Sequence, residues 1–225
     1  MRPVSRSFSL ISILTLTLMA TVIGCGGDDG GSKPVVPDTA AEYTDRGWGR
    51  FEAGDLDGAL SDFNAALALD ADYGPAYLGR GWSNLSLAAS TASMELAAAG
   101  FDSAFAHGQT GADCIGGRAA AYLGVGGNEA YISAASDALS ALQLSRTFTF
   151  AHRNSYNSTD LRLITAFAHA GRNQFPDALA AADEVSNSGI TEGDSETWVV
   201  GGETYNSFQA AVVAHLQALS DQHSG

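Results

Sequence analysis

Apolar and small residues recur at helical spacing along the first half of the chain. Tyr43, Gly47 and Phe51 are four residues apart, which places them on one face of a helix. Gly54 and Asp55 then predict a turn. A second stripe follows at Ala59, Phe63, Ala66 and Leu67. The pattern predicts two antiparallel helices joined by a short turn.

This pattern returns further along the chain. Thirty-four residues after the first triplet, Tyr77, Gly81 and Leu85 follow at the same spacing. The later stripes are Ala97, Phe101 and Ala104, then Ile115, Ala119 and Leu123, then Ala135, Leu139 and Leu142. A single insertion between Leu87 and Met94 accounts for the change of spacing, and we expect Phe63, Phe101 and Leu139 to fill the space between helices.

The C-terminal part continues the helical pattern less regularly. A helix is predicted over residues 158–171, and a second stripe at Ala178, Ala182 and Val185 follows Pro176. The segment from Tyr205 to Leu219 predicts a lone amphipathic helix. Because helical repeats need a terminal cap, we assign that role to this last helix.

The segment from Tyr43 to Ala76 resembles a tetratricopeptide repeat (TPR), with its aromatic residue, small residue, Gly-Asp turn and Ala-x3-Phe-x2-Ala pattern. It departs from the family at Ala71, where proline is usual, and at Arg46 and Arg50, where leucine and tyrosine are usual. The resemblance implies an all-α fold, a short right-handed solenoid of antiparallel helix pairs that binds proteins or peptides. The residues that it assigns to repeat packing are Tyr43, Gly47, Ala59, Phe63, Ala66, Tyr77, Gly81 and Phe101.

The N-terminus has the features of an export signal. Arg2 and Arg6 precede an uncharged, mostly apolar stretch over residues 7–24. It ends in Val22-Ile23-Gly24-Cys25, which resembles the lipobox of bacterial lipoproteins. We therefore expect residues 1–24 to be a signal peptide and Cys25 to be acylated and inserted in a lipid bilayer. An uncleaved membrane anchor is the alternative.

The residues after Cys25 predict a spacer between the membrane and the repeats. Residues 25–40 are rich in Gly, Asp and Pro and predict a flexible linker, so that the repeat domain would span residues 41–225. Gly26 after the cysteine favours the outer membrane, facing the periplasm, over the inner membrane, by resemblance to lipoprotein sorting.

The charge balance excludes one class of partner. The net charge is −14, and it becomes −16 without residues 1–24, which contain two arginines and no acidic residue. Nucleic acid binding depends on Lys and Arg that neutralise phosphates, so we expect no nucleic acid partner. Of the two cysteines, Cys114 is expected to be a small buried residue.

Catalytic and metal-binding motifs are missing from the sequence. It contains no His-Glu-x-x-His, phosphate loop or Gly-x-Ser-x-Gly motif, and its five histidines lack metal-ligand spacing. We therefore expect no catalytic residues, no metal and no cofactor.

Two irregular stretches, residues 145–157 and 186–203, interrupt the helical pattern. Their aromatic and basic residues either cap the core or form a partner-binding patch; these residues are Phe148, Phe150, His152, Arg153, Tyr156 and Trp198. The sequence favours a membrane-anchored scaffold that binds an unknown protein or peptide. The alternative is an envelope lipoprotein that binds a small molecule or glycan on a platform of Trp198, Tyr156 and Phe150.

Overall fold

The computed structural model describes residues 39–224, so the predicted signal peptide, Cys25 and most of the predicted linker lie outside the described residues. Within that range the helices are α1 (Ala40–Glu52), α2 (Leu56–Leu69), α3 (Gly74–Leu87), α4 (Thr91–Ala106), α5 (Ala112–Val125), α6 (Asn128–Leu144), α7 (Ser158–Gly171), α8 (Phe175–Asp183) and α9 (Phe208–Ser224). Two small hairpins pair β1 (Thr149–Phe150) with β2 (Arg153–Asn157), and β3 (Val199–Val200) with β4 (Glu203–Thr204). None of the helices in this range is long and apolar enough to cross a membrane.

Local sequence signals set the helix ends. Thr39 and Glu42 form a capping box at the start of α1, one residue before the predicted domain start. Asp55 accepts a hydrogen bond from the Gly58 N–H and caps α2, so this aspartate serves the turn. Between α5 and α6, Gly126 adopts a φ of 75°, a left-handed conformation that favours glycine and ends the helix.

Consecutive helices pack against each other in antiparallel pairs, and a second set of contacts gives the array its curvature. The odd-numbered helices also touch in sequence, α1 on α3, α3 on α5 and α5 on α7, whereas the described even-numbered helices are more widely separated from one another. The odd-numbered helices therefore form an inner, concave layer, and the even-numbered helices form an outer layer that is splayed apart.

The structure buries six of the eight predicted packing residues. Phe63 and Phe101 are fully buried, and glycines allow the neighbouring helices to approach them. A Cβ atom on Gly47 would lie 2.7 Å from the Phe63 ring, and one on Gly81 would lie 3.0 Å from the Phe101 ring. Ala59, Ala66 and Gly47 are also buried, whereas Tyr43 and Tyr77 are half-buried.

The prediction for the third repeat was wrong at Leu139, whereas the predicted Ala135 is buried and Leu142 packs against the core. Leu139 was expected in the core, but its side chain is 47% exposed. The buried residues of α6 are Ala134, Ala135, Ala138 and Ala141. The helix is rotated because alanines, which allow close packing, occupy the neighbouring positions and no large side chain fixes the register.

The C-terminal helices form a second core cluster. Helix α9 packs on α7 and α8 and buries Phe208, Val212 and Leu216, as expected of a capping helix. It begins at Phe208 rather than at Tyr205, because the chain first forms the β3–β4 hairpin. The Tyr205 N–H donates to the Trp198 carbonyl at 2.8 Å across that hairpin.

Candidate functional site

The β1–β2 hairpin is the structural element that distinguishes this array from a plain stack of helix pairs. It connects α6 to α7, and its side chains return along the chain to α1, α3 and α5. These three helices belong to the inner layer, so the hairpin lies in the concave face. A segment of the chain itself therefore occupies the groove of the array.

Phe150 is the main anchor of this hairpin. Its side chain is 1% exposed and stacks on Trp82 of α3, with the ring centroids 3.9 Å apart and the planes at 14°. Trp48 and Phe51 of α1 meet the same ring edge-on at 6.0 and 6.2 Å. Such arrangements are the ones that aromatic pairs prefer, so one phenylalanine links the first two repeats to the hairpin.

His152 makes the contact with the first helix. Its ring stacks on Trp48 at a centroid distance of 3.9 Å, and its Nδ1 lies 2.7 Å from the Glu52 Oε1. The neighbouring Arg153 holds its guanidinium 5.1 Å from the centre of the Phe51 ring, and its burial lowers the pKa of that guanidinium. Both side chains thus bind to α1.

Tyr156 fixes the other strand of the hairpin to the third repeat. Its hydroxyl donates to the Gly116 carbonyl of α5 at 2.7 Å, and burial raises the pKa of this hydroxyl well above its usual value. Phe148 is buried beside it in an edge-on contact at 5.9 Å. A Cβ atom on Gly116 would lie 3.3 Å from the Leu161 Cδ2 and 3.7 Å from the Phe148 ring, so there is little free space beside this glycine.

The structure brings five of the six predicted patch residues together and separates the sixth. Phe148, Phe150, His152, Arg153 and Tyr156 all lie in this hairpin and pack on the inner layer. Trp198 packs instead with the C-terminal cluster, where its Nε1 donates to the Thr191 carbonyl at 2.9 Å. The platform of Trp198, Tyr156 and Phe150 considered for a glycan is therefore not formed.

The receiving residues on the inner layer were missed at the sequence level. Trp48 and Trp82 follow Gly47 and Gly81 directly, so they occupy the same position in the first two repeats. That equivalence was the available signal, because it places two large aromatic rings at one position of consecutive repeats, where a single segment can contact both. Glu52 and Gly116 carry no comparable signal, since their role depends on where the hairpin lands.

Partly buried ion pairs link the two helices of a pair in the first and third repeats. Arg46 of α1 donates to both oxygens of Asp62 in α2, with the Nε–Oδ2 distance at 2.8 Å. Arg118 of α5 does the same with Asp137 of α6, at 2.7 and 2.9 Å. These contacts explain why arginine stands where the repeat family has leucine: its partner is an aspartate on the paired helix.

The described residues show no cluster suited to metal binding. No group of three or more His, Cys, Asp or Glu side chains within residues 39–224 could hold an ion. Cys114 is buried, and burial raises the pKa of its thiol to about 12. A thiol in that state is a poor nucleophile, because the reactive species is the thiolate.

The fold is similar to that of solved TPR proteins, whereas sequence comparison finds no relatives. No protein-family model matches the sequence, and no curated protein matches it. YrrB, a TPR protein with an unusual peptide-binding site, superposes with a TM-score of 0.55 at 17% identity, over 82% of this chain and 88% of its own. MamA superposes with a TM-score of 0.53 at 16% identity, over 83% of this chain and 86% of its own. The described part of the chain therefore has a TPR-like helical-repeat fold.

Proposed function

We propose that this protein is a membrane-anchored adaptor that binds a polypeptide partner through its helical repeats. The observation that carries the proposal is the docked hairpin. The inner layer holds an extended polypeptide segment through stacked rings on Trp48 and Trp82 and a hydrogen bond to the Gly116 carbonyl. A surface with this chemistry is suited to binding polypeptide rather than to transforming a substrate.

The similarity in fold supports the same proposal. YrrB, one of the structures that superpose on this chain, is a TPR protein with a peptide-binding site. Stacked helix pairs present an extended concave surface, which is the usual binding surface of helical-repeat proteins. Because the chain's own hairpin covers part of the inner layer, surfaces on the outer layer and on the hairpin itself remain open to a partner.

Photo-crosslinking tests the adaptor proposal. A photoreactive phenylalanine analogue is placed at Ala99 on the outer layer, at Ala151 in the hairpin and, as a control, at Gln217 on the capping helix; all three residues are exposed. Irradiation of intact cells should give a discrete adduct at Ala99 or Ala151 and none at Gln217. The absence of an adduct at both Ala99 and Ala151 would contradict the proposal.

The anchor is proposed to be the acylated Cys25 in the outer membrane, with the repeats facing the periplasm. Support comes from the uncharged segment over residues 7–24 and from the lipobox-like Val22-Ile23-Gly24-Cys25. The linker that follows has an r.m.s. reach of about 20 Å, enough to hold the repeats clear of the lipid headgroups. Cys114 offers no competing acylation site because it is buried.

Metabolic labelling with an alkyne fatty acid tests this anchor. The wild-type chain should incorporate the label and sediment with the outer-membrane fraction. The Cys25→Ala variant should lose the label, whereas the Cys114→Ala variant should keep it. Label that persists in Cys25→Ala, or wild-type protein in the soluble fraction, would refute the anchor without affecting the adaptor proposal.

A further inference from the structure

One arginine of the repeat array lacks the aspartate that its two equivalents have. Arg46, Arg80 and Arg118 each lie one residue before the small residue of their repeat, at Gly47, Gly81 and Ala119. Arg46 and Arg118 are each bound by both oxygens of an aspartate on the paired helix. Within residues 39–224 no carboxylate lies within ion-pair distance of Arg80, and its guanidinium lies 4.7 Å from the centre of the Tyr77 ring on the same helix.

The reason for the missing partner is visible in the packing of α3 on α4. Asp62 directly precedes Phe63, and the corresponding residue before Phe101 is Gly100. A Cβ atom on Gly100 would lie 2.9 Å from the Gly81 Cα, so the close approach of the two helices admits no side chain there. The second repeat therefore cannot supply its own carboxylate from that position.

The unpaired Arg80 faces a cleft on the outer layer. The splay between α2 and α4 leaves a groove of about 300 Å³, with Arg80 and Asn84 of α3 among its lining residues. Leu60 and Asn64 line it from α2, and Leu96, which is 63% exposed, lines it from α4. Neither asparagine side chain has a hydrogen-bond partner among the described residues.

We infer that this cleft binds a glutamate or aspartate side chain of the partner polypeptide, with an adjacent aliphatic side chain between Leu60 and Leu96. The equivalent arginines of the first and third repeats indicate the ligand, because Arg46 and Arg118 each bind both oxygens of a carboxylate. Asn64 and Asn84 can donate to and accept from the peptide groups beside that carboxylate. This inference rests on the proposed adaptor function and names the chemistry of its partner.

The acidic character of the chain does not oppose such a ligand at short range. The net charge is −14, but interactions between exposed charges are largely screened beyond about 8 Å at physiological ionic strength. A carboxylate that enters the cleft would lie next to the Arg80 guanidinium, whose charge no carboxylate of the described residues neutralises.

Peptide titration followed by NMR tests the cleft directly. The processed full-length protein in detergent is titrated with acetyl-Leu-Glu-Leu-amide, with the Gln analogue as the neutral control. The Glu peptide should shift the Arg80 side-chain Nε–H signal and backbone signals of α2, α3 and α4. It should bind about tenfold more tightly than the Gln peptide, in line with a charge-assisted hydrogen bond.

Three variants separate the cleft from general charge effects. Arg80→Gln and Asn84→Asp should each weaken binding of the Glu peptide about tenfold. The first variant removes the guanidinium, and the second places a carboxylate one helical turn away from Arg80, where it neutralises the positive charge. Arg146→Gln removes one positive charge from the exposed turn before β1 and should leave binding unchanged. Thermal unfolding of Arg80→Gln should match the wild type, since Arg80 makes no ion pair in the described structure.

Several results would overturn the assignment. Equal binding of the Glu and Gln peptides, or full binding by Arg80→Gln, would exclude a carboxylate at Arg80. Binding of acetyl-Leu-Gln-Leu only when its C-terminus is free would exclude a side-chain carboxylate as the ligand. A crosslink at Ala99 that persists in Arg80→Gln would refute carboxylate binding in the cleft and leave the adaptor proposal intact. Peptide binding in the cleft without a crosslink at any position would refute the adaptor proposal and leave the carboxylate site intact.

Discussion

Replacing Phe150 with alanine is the sharpest test of how the hairpin is held. The ring is 1% exposed and contacts Trp82, Trp48, Phe51 and His152. Truncating a buried phenylalanine to alanine typically costs about 3–5 kcal/mol of unfolding free energy. For a domain of this size, 1 kcal/mol lowers the Tm by about 2–4 °C, so we expect a decrease of about 6–20 °C.

The measurement compares two probes of the same transition. Circular dichroism follows the helices, and tryptophan fluorescence follows Trp48 and Trp82, which contact the hairpin. Thr149→Ala serves as the control, because Thr149 is the exposed neighbour and its loss should change stability by less than about 0.5 kcal/mol. If Phe150→Ala unfolds at the same temperature as Thr149→Ala, the hairpin is not part of the core and the reasoning fails.

Three further predictions follow from packing and burial. Gly100→Ala should lower the free energy of unfolding by about 1–3 kcal/mol, because the added Cβ would meet the Gly81 backbone. Gly49→Ala, on an open helix face, should raise it by about 0.5–1 kcal/mol. Chemical denaturation measures both variants, and equal effects would contradict the packing described for Gly100. The thiol of Cys114, with its pKa raised to about 12, should resist a maleimide at pH 8 in the native protein and react in urea; rapid native labelling would show that the site is open. Burial raises the pKa of Asp113, so its contribution to stability is complete below the unfolded pKa of about 4 and is lost as pH rises through the folded value. Asp113→Asn should therefore raise the Tm at pH 7 by about 1–2 °C and have no such effect at pH 3, and a decrease at pH 7 would refute the sign.

The sequence predicted the repeats where large residues marked the register. Phe63 and Phe101 stand at the predicted core positions, because an aromatic ring flanked by small residues fits only one face of its helix. In α6 the buried residues are all alanines, and the prediction wrongly placed Leu139 in the core. Asp137, which precedes Ala138 as Asp62 precedes Phe63, was the signal that could have fixed it.

The hairpin and the cleft depend on long-range contacts that a local pattern does not encode. The alternation of Thr and Phe over residues 147–150 was compatible with a strand, but its docking site on α1 and α3 required the helices to be placed first. The cleft at Arg80 could not be predicted from the sequence pattern either. Its unpaired arginine results from the absence of a side chain at Gly100, and its width results from the spacing of α2 and α4.

The contact between His152 and Glu52 joins residues that are 100 positions apart in the chain. A simple repeat array folds through neighbour contacts, so its terminal unit can fray without disturbing the rest. Here the first helix pair is clamped by a segment synthesised long after it, which raises contact order and should slow the final folding step. A chain with this topology would reach its stable form only after the region through β2 has been synthesised, and its first helices would stay loosely packed until then.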